Sequence, residues 1–324
     1  MEFMEKCNMT EVGGYLQFPT YKGKMLYEDG ILLNSCRNCL EFIIKDKQIS
    51  TMYLPYYICD AVDDVCIKNN VKIIKYHINH QFQIQEAEIP IDSYVLVVNW
   101  FGVLSKKYLQ KLSKIYKLIV DNTQCYFRKP IKNTYTIYSC RKFFGVPDGG
   151  VLYGNLNRDR CDLLEKSYSY NNVIHLLGRF EKSASEFYNE FLTNEKRIKD
   201  ECLMKMSFFT YNILHSLNYK KIKKIRTQNY NYYNKHLKDI NQININSKQG
   251  VFSYPFLHKK ADAIKKRLLK EKIYIPTLWP NCLDLEHNNV AYIYSKDILP
   301  LPCNQDCNIK DLDKIIKIIK EEVL

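Results

Sequence analysis

Lys142 lies in the run Ser139-Cys140-Arg141-Lys142-Phe143-Phe144-Gly145-Val146-Pro147-Asp148-Gly149-Gly150. Upstream, Asp121 ends the apolar run Leu118-Ile119-Val120 and is followed by Asn122-Thr123-Gln124. A strand-end carboxylate, then a lysine beside a glycine turn, is an order suited to Schiff-base chemistry on a carbonyl cofactor. Pyridoxal 5′-phosphate (PLP) needs such a pair: a lysine to hold its aldehyde carbon and an acid to keep its ring nitrogen protonated. It also needs donors around its phosphate, best supplied at a helix N-terminus, and an aromatic side chain against its ring. Ser35 and Ser139 are candidates for the phosphate, with Cys36 beside Ser35 in the same turn and Arg141 as a further cation. Gln124 can donate to the phenolic oxygen. Tyr56 and Tyr57, after Pro55, are candidates for the ring face.

Each of these residues also has a plainer reading. Ser35 is a natural N-cap, a role compatible with anion binding. Asp121 is a turn former, Lys142 and Arg141 are surface charges, and the two tyrosines are core packing. His175, Arg179 and Trp279 either line a substrate pocket or are loop and core residues, and the sequence does not choose between these.

The elements that must position these groups alternate. A short apolar run, Ile31 to Leu33, leads to capping residues Asn34 and Ser35. A helix follows, with Cys39, Leu40, Phe42 and Ile43 on one face. Thr51 to Pro55 reads as a strand, Cys59 to Lys68 as a helix, and Val71 to Tyr76 as a strand. Tyr94 to Trp100 is continuously apolar, as expected of a strand buried on both faces. Lys106 to Tyr116 is an amphipathic helix. Leu118 to Val120, Tyr135 to Ser139 and Val151 to Tyr153 are further strands. Such alternation predicts an α/β domain with a mainly parallel sheet, whose strand carboxyl ends hold ligands. Ser35, Asp121 and the Ser139–Lys142 run all fall at such ends.

From about Arg160 the pattern changes. Long helices are expected over roughly 183–218 and 219–238, then a strand at Val251–Phe256, a helix over 260–270, a strand at Ile273–Pro276 and a closing helix over 309–323. The predicted organisation is an N-terminal segment (1–30), a large cofactor-binding α/β domain (31–200) and a smaller C-terminal α+β domain (201–324).

With 46 % hydrophobic and 26 % charged residues, the chain is a folded globular protein and not a disordered one. No apolar run is long enough for a membrane span, and Met1–Lys6 lacks a secretory apolar core, so a cytoplasmic location is expected. The 12 cysteines then act as small buried hydrophobes. Cys36-x-x-Cys39 and Cys303-x-x-x-Cys307 are far apart and lack flanking glycines, so no metal is assigned. The net charge of +13 suits polyanionic partners. Much of it lies in Tyr219–Arg226, read as a solvated helix face and not a nucleic-acid arm.

On these residues the chain resembles a fold-type-I PLP enzyme. It is most similar to the DegT/DnrJ/EryC1/StrS sugar aminotransferases. Val120-Asp121-Asn122-Thr123-Gln124 matches the family's Asp-x-x-Gln segment. Ser139, Lys142 and Asp148-Gly149-Gly150 match its serine, Schiff-base lysine and glycine turn. Asn34–Asn38 matches the turn opening the first large-domain helix, and Leu299-Pro300-Leu301-Pro302 its C-terminal Leu-Pro segment. The family's phosphate serine five residues before the lysine is Ile137 here, and its Gly-Tyr-Asn loop has no match near Met206-Ser207. The resemblance implies a short, divergent PLP-dependent aminotransferase. Its expected substrates are a nucleotide-linked keto sugar and an amino donor, in surface-polysaccharide biosynthesis. It also implies a homodimer whose site is completed across the interface. The alternatives are a sugar dehydratase or lyase on the same fold, or a basic binding protein without catalysis.

Overall fold

A computed structural model of the chain describes residues 12–85, 88–245 and 250–323. The terminal hexapeptide Met1–Lys6, read above for a leader, lies outside them. The elements follow the expected alternation: β1 (Ile31–Leu33), α1 (Cys36–Lys47), β2 (Thr51–Pro55), α2 (Asp60–Lys68), β3 (Lys72–Tyr76), β4 (Tyr94–Val98), α3 (Lys106–Leu112), β5 (Lys117–Asp121), β6 (Tyr135–Ser139) and β7 (Gly150–Tyr153). These strands form one seven-stranded sheet in the order β1-β7-β6-β5-β4-β2-β3. Only β7 runs against its neighbours, β1 and β6. The other neighbouring pairs are parallel. The sheet is therefore the mainly parallel α/β sheet that the alternation predicts.

Its centre is dry. Val95 to Val98 and Leu118 to Val120 are almost fully buried, as strands covered on both faces must be. Helix α1 covers one face with Cys39, Leu40, Phe42, Ile43 and Ile44. It starts on Ser35, whose hydroxyl accepts the Asn38 N–H, and ends on Gln48 in the left-handed region at φ 51°. The one acid on its buried side, Glu41, is held by Lys45 at 2.6 Å and Lys68 at 3.2 Å.

The remaining elements are α4 (Asp159–Asp162), α5 (Ile174–Glu181), α6 (Tyr188–Asp200), α7 (Phe208–His215), α8 (Tyr219–Leu237), β8 (Ser253–Leu257), α9 (Ala261–Lys270), α10 (Val290–Asp297), β9 (Ile298–Pro302) and α11 (Ile309–Val323). The single helix expected over 183–218 is two, α6 and α7, because the chain turns at Glu201–Met206 to form backbone hydrogen bonds with Asn34, Leu32 and Glu165. The strand expected at Ile273–Pro276 is absent. Lys272 adopts φ 58° and the Ile273 N–H returns to the Leu268 carbonyl, so these residues close α9 instead. The partner of β8 is β9, with Pro255 opposite Pro300. A two-stranded ribbon is all edge, where proline is tolerated.

A second core joins α8, β8, α9, β9 and α11 through Tyr233, Phe256, Ile264, Leu301 and Ile319. Residues past 201 do not all belong to it: Trp279, Cys282, Ala291 and Tyr294 pack into the core of the large sheet. The solvated face expected over 219–226 holds for Lys220, Lys221 and Lys224, which are exposed. It fails for Arg226, which is 2 % exposed.

The tightest approach in the sheet is at Gly150. A Cβ there would lie 2.5 Å from the Ser35 carbonyl atoms and 2.8 Å from the Cys36 nitrogen. Those are backbone atoms and cannot swing aside. Gly150→Ala is expected to destabilise the protein by about 3 kcal/mol in urea unfolding. Gly145→Ala, where a Cβ meets nothing within 4 Å, is expected to be near neutral. Equal midpoints for the two variants would show that the contact is not tight.

Candidate active site

Because β1, β2, β4, β5 and β6 run the same way, their carboxyl ends share one edge of the sheet. That edge carries Ser35, Tyr56, Asn99, Asp121 and Ser139. Gly150 is there too, because β7 starts where the others end. Two chain reversals fix its centre. The Cys140 N–H donates to the Gly149 carbonyl at 3.0 Å, and the Gly149 N–H to the Asn34 carbonyl at 2.7 Å. The turn bearing Lys142, the glycine pair and the start of α1 are thereby held side by side.

Asp121 is 6 % exposed at the end of β5, and its Oδ1 accepts the Thr123 N–H at 2.8 Å. Burial pushes its carboxyl above the ordinary range. The Lys142 charge and the bond from Thr123 pull the other way. Lys142 is exposed on its turn and close enough to act electrostatically on Asp121, Cys36 and Cys59. The lysine thus stands over the edge, between the end of β5 and the start of α1. Ser35 and Cys36 occupy that start. Helix α1 has no acid in its first turn, and its first N–H groups have no intrahelical acceptor. Burial, with Asp121 and Cys39 nearby, keeps the Cys36 thiol protonated. Ser139 is buried as the last residue of β6, opposite Gly150.

Gln124 is 1 % exposed. Its Oε1 accepts the Phe101 N–H at 2.8 Å, holding that residue at φ 50°, and its carbonyl accepts the Phe252 N–H at 3.1 Å. Its Nε2 is buried with no acceptor among the described residues. A buried amide donor with nothing to bond calls for a partner.

Tyr57 is corrected. It is fully buried, with its ring stacked towards Trp100 at 6.1 Å and met edge-on by Trp279 at 4.5 Å. An aromatic cluster occupies its faces, so it is a core residue and not a platform for a ligand. Tyr56 stacks on His77 at 4.5 Å. Arg141 is neither free nor a surface charge: it pairs with Glu195 of α6, and burial beside Arg37 and Arg197 lowers it to about 10. The possible pocket residues do not form one wall. Trp279 packs on Tyr57. His175 lies near Arg141 and Arg197, and Arg179 lies towards Cys307.

Three residues that the sequence offered only as a cap, a turn residue and a surface cation shape this edge. Asp148 is buried and accepts from the Ser207 N–H at 3.0 Å, the Ser207 hydroxyl at 2.9 Å and the Thr210 hydroxyl, so it fastens α7 to the glycine turn. Its only signal was its place before Gly149-Gly150. Asn34 bonds Glu201, Cys202 and Asn38. Arg226 reaches the Lys142 turn and is treated below.

Among the described residues no group of histidines, cysteines and acids could hold a metal ion, and no helix is long and apolar enough to cross a membrane. No family profile matches the sequence, and no curated protein matches it significantly. Solved structures do match. A DegT DnrJ EryC1 StrS aminotransferase from Brucella abortus aligns over 90 % of this chain and 85 % of its own, with TM-score 0.61 and 15 % identity. A sugar aminotransferase from Micromonospora echinospora, CalS13, aligns over 90 % and 86 %, with TM-score 0.60 and 11 % identity. NtdA from Bacillus subtilis, solved with bound cofactor PMP, aligns over 90 % and 73 %, with TM-score 0.63 and 13 % identity. The fold is that of the fold-type-I transferases. At these identities the likeness is one of fold, and the chemistry rests on the residues at the strand ends.

Those residues fit PLP. A buried acid and an exposed lysine share the edge, an unpaired amide donor sits between β5 and β4, and the first turn of α1 is free of acids. Asp121 also gives a pH test. Its raised folded-state value means that the native protein keeps this proton to higher pH than the unfolded chain. The ionisation cost is therefore absent below the unfolded value and complete once pH rises through the folded one. Asp121→Asn removes it. The cofactor-free variant is expected to exceed the parent in stability near pH 8, with the gap closing towards about pH 4. A gap independent of pH would contradict the buried-carboxylate reading.

Proposed function

We propose that this chain is a PLP-dependent aminotransferase that moves an amino group onto a nucleotide-linked keto sugar. The observation that carries the reading is the juxtaposition of Lys142, Asp121 and the unpaired Gln124 amide at one edge of the sheet. When bound, PLP supplies an electron sink that stabilises negative charge on a substrate carbon. Lys142 would anchor the cofactor, and its amine, once freed, could take and return the proton at that carbon. Asp121 would pair with the ring nitrogen and hold the proton there, a task suited to a buried carboxylate whose ionised form a cation stabilises. Gln124 would donate an Nε2–H to the phenolic oxygen. Ser35, Cys36 and Ser139 would receive the phosphate, where the N-terminal end of α1 favours an anion.

The sugar substrate is supported by the fold's occurrence in CalS13, a sugar aminotransferase from Micromonospora echinospora. A nucleoside diphosphate carrier is supported by the net charge of +13. We place the protein in the cytoplasm, as a homodimer, in surface-polysaccharide synthesis. Division into a large domain (31–200) and a small one (201–324) goes with this reading.

The test is the visible spectrum of the purified protein with added PLP, beside Lys142→Ala. The parent is expected to show a band that borohydride bleaches, with the reduced cofactor's mass on the peptide bearing Lys142. The variant is expected to show neither. Asp121→Asn should retain cofactor yet lose about 100-fold or more in amino transfer from glutamate. Absence of a band at saturating PLP overturns the proposal and leaves the same scaffold in a binding role.

A further inference from the structure

Arg226 is the most deeply buried charge in the C-terminal half. It is 2 % exposed, and no carboxylate among the described residues pairs with it. Its donors go instead to neutral oxygens: Nε to Gln305 Oε1 at 2.9 Å, one terminal nitrogen to the Val251 carbonyl at 3.3 Å and the Phe252 carbonyl at 3.5 Å, and the other to the Phe143 carbonyl at 3.2 Å. Gln305 Nε2 donates to the same Phe143 carbonyl at 3.1 Å. The guanidinium also lies 4.5 Å over the Phe143 ring. Phe143 is the residue after Lys142. Its carbonyl therefore has two donors from outside its own turn, one on α8 and one on the loop after β9.

We propose that Arg226 and Gln305 are positioning residues for Lys142. They clamp its turn from the C-terminal part of the chain and so fix the amine relative to Asp121. The role of the lysine itself rests on the function proposed above. The clamp has a structural logic of its own. Within the turn the Phe143 and Phe144 N–H groups reach the Cys140 carbonyl and the Val146 N–H reaches Phe144, while Phe143, Phe144 and Val146 pack into an aromatic core. The lysine side chain is exposed and adds little packing. The same C-terminal segment holds the other chemistry-bearing strand end, because the Phe252 N–H donates to the Gln124 carbonyl. Arg226 binds the Val251 carbonyl next to it. One buried guanidinium thus connects both strand ends to the second core. Lysine could keep the charge at 226, but not the planar fork that meets four separate oxygens.

The test uses the full chain without cofactor and compares the parent with Arg226→Met, Arg226→Lys and Gln305→Leu. Gln305 is only partly buried, so its variant serves if the arginine variants fail to fold. Hydrogen exchange of residues 141–146 is expected to rise about tenfold in Gln305→Leu and more in both arginine variants, while β4 and β5 stay protected. The rate of Lys142 acylation relative to the other lysines, read by peptide mass spectrometry at one pH, is expected to change in the same order as the amine moves relative to Asp121. Unchanged exchange in 141–146 would overturn the clamp. Raised exchange with an unchanged relative rate at Lys142 would reduce Arg226 and Gln305 to a structural role. Neither readout requires PLP to bind, so failure of the proposed function appears separately, as a parent protein that forms no band with PLP.

Discussion

The contact on which this architecture depends is backbone against backbone: the start of β7 lying on the start of α1. Only glycine at 150 allows it, since any side chain would enter the Ser35 carbonyl. Around that contact the chain joins four segments that are remote in sequence. Gly149 bonds Asn34, Cys140 bonds Gly149, and Asp148 reaches Ser207 and Thr210 at the start of α7. The antiparallel course of β7 makes the arrangement possible. A strand beginning where its neighbours finish delivers its first residues, and not its last, to the ligand edge of the sheet.

Two buried aspartates stand near this junction, burial raises both carboxyls, and their bonds come from different places. Asp148 is bonded by Ser207 and Thr210 and holds a helix start in place. Asp121 is bonded by its neighbour Thr123 and feels a lysine across the edge. Bonds to a remote helix make a structural carboxylate. Bonds from its own turn leave an acid that can answer to an incoming cation, as a protonated ring nitrogen would be. A second contrast separates buried Asn38, whose amide bonds Asn34 and the Cys202 carbonyl, from Gln124, whose amide donor has no acceptor among the described residues. The unpaired Gln124 donor lies just past the end of β5.

Much of this was legible in the sequence, for physical reasons that also mark the limits. The continuous apolar runs at 94–98 and 118–120 have no other use than a doubly covered sheet, and the alternation with helices gave the parallel order. Asp121 and Lys142 stood out because a charge beside such a run must either be at a strand end or be paired. Tyr57 was misplaced because an aromatic after a strand-ending proline looks the same whether it meets a ligand or Trp279. The break between α6 and α7 escaped because helical periodicity survives on both sides of it. What interrupts the helix is pairing of 204–206 with β1 and its flank, a tertiary effect with no local signal. Arg226 escaped for a related reason. Among the lysines of 220–224 it reads as one more solvated cation, and only the carbonyls converging on it make it a core residue.

Burying that arginine without an acid is costly unless its donors are met. The structure meets them with backbone and amide oxygens, and burial lowers the group only to about 10, so it keeps its charge at neutral pH. Apolar packing could have joined the second core to the sheet at lower cost, as Trp279 and Tyr294 already do on the far side. Apolar contact is tolerant of sliding, however, whereas a fork with four acceptors on three segments is not. A positional constraint of that kind has its use where an exposed flexible amine must stay over one carboxylate. The carbonyl next to Lys142 is where this chain applies it.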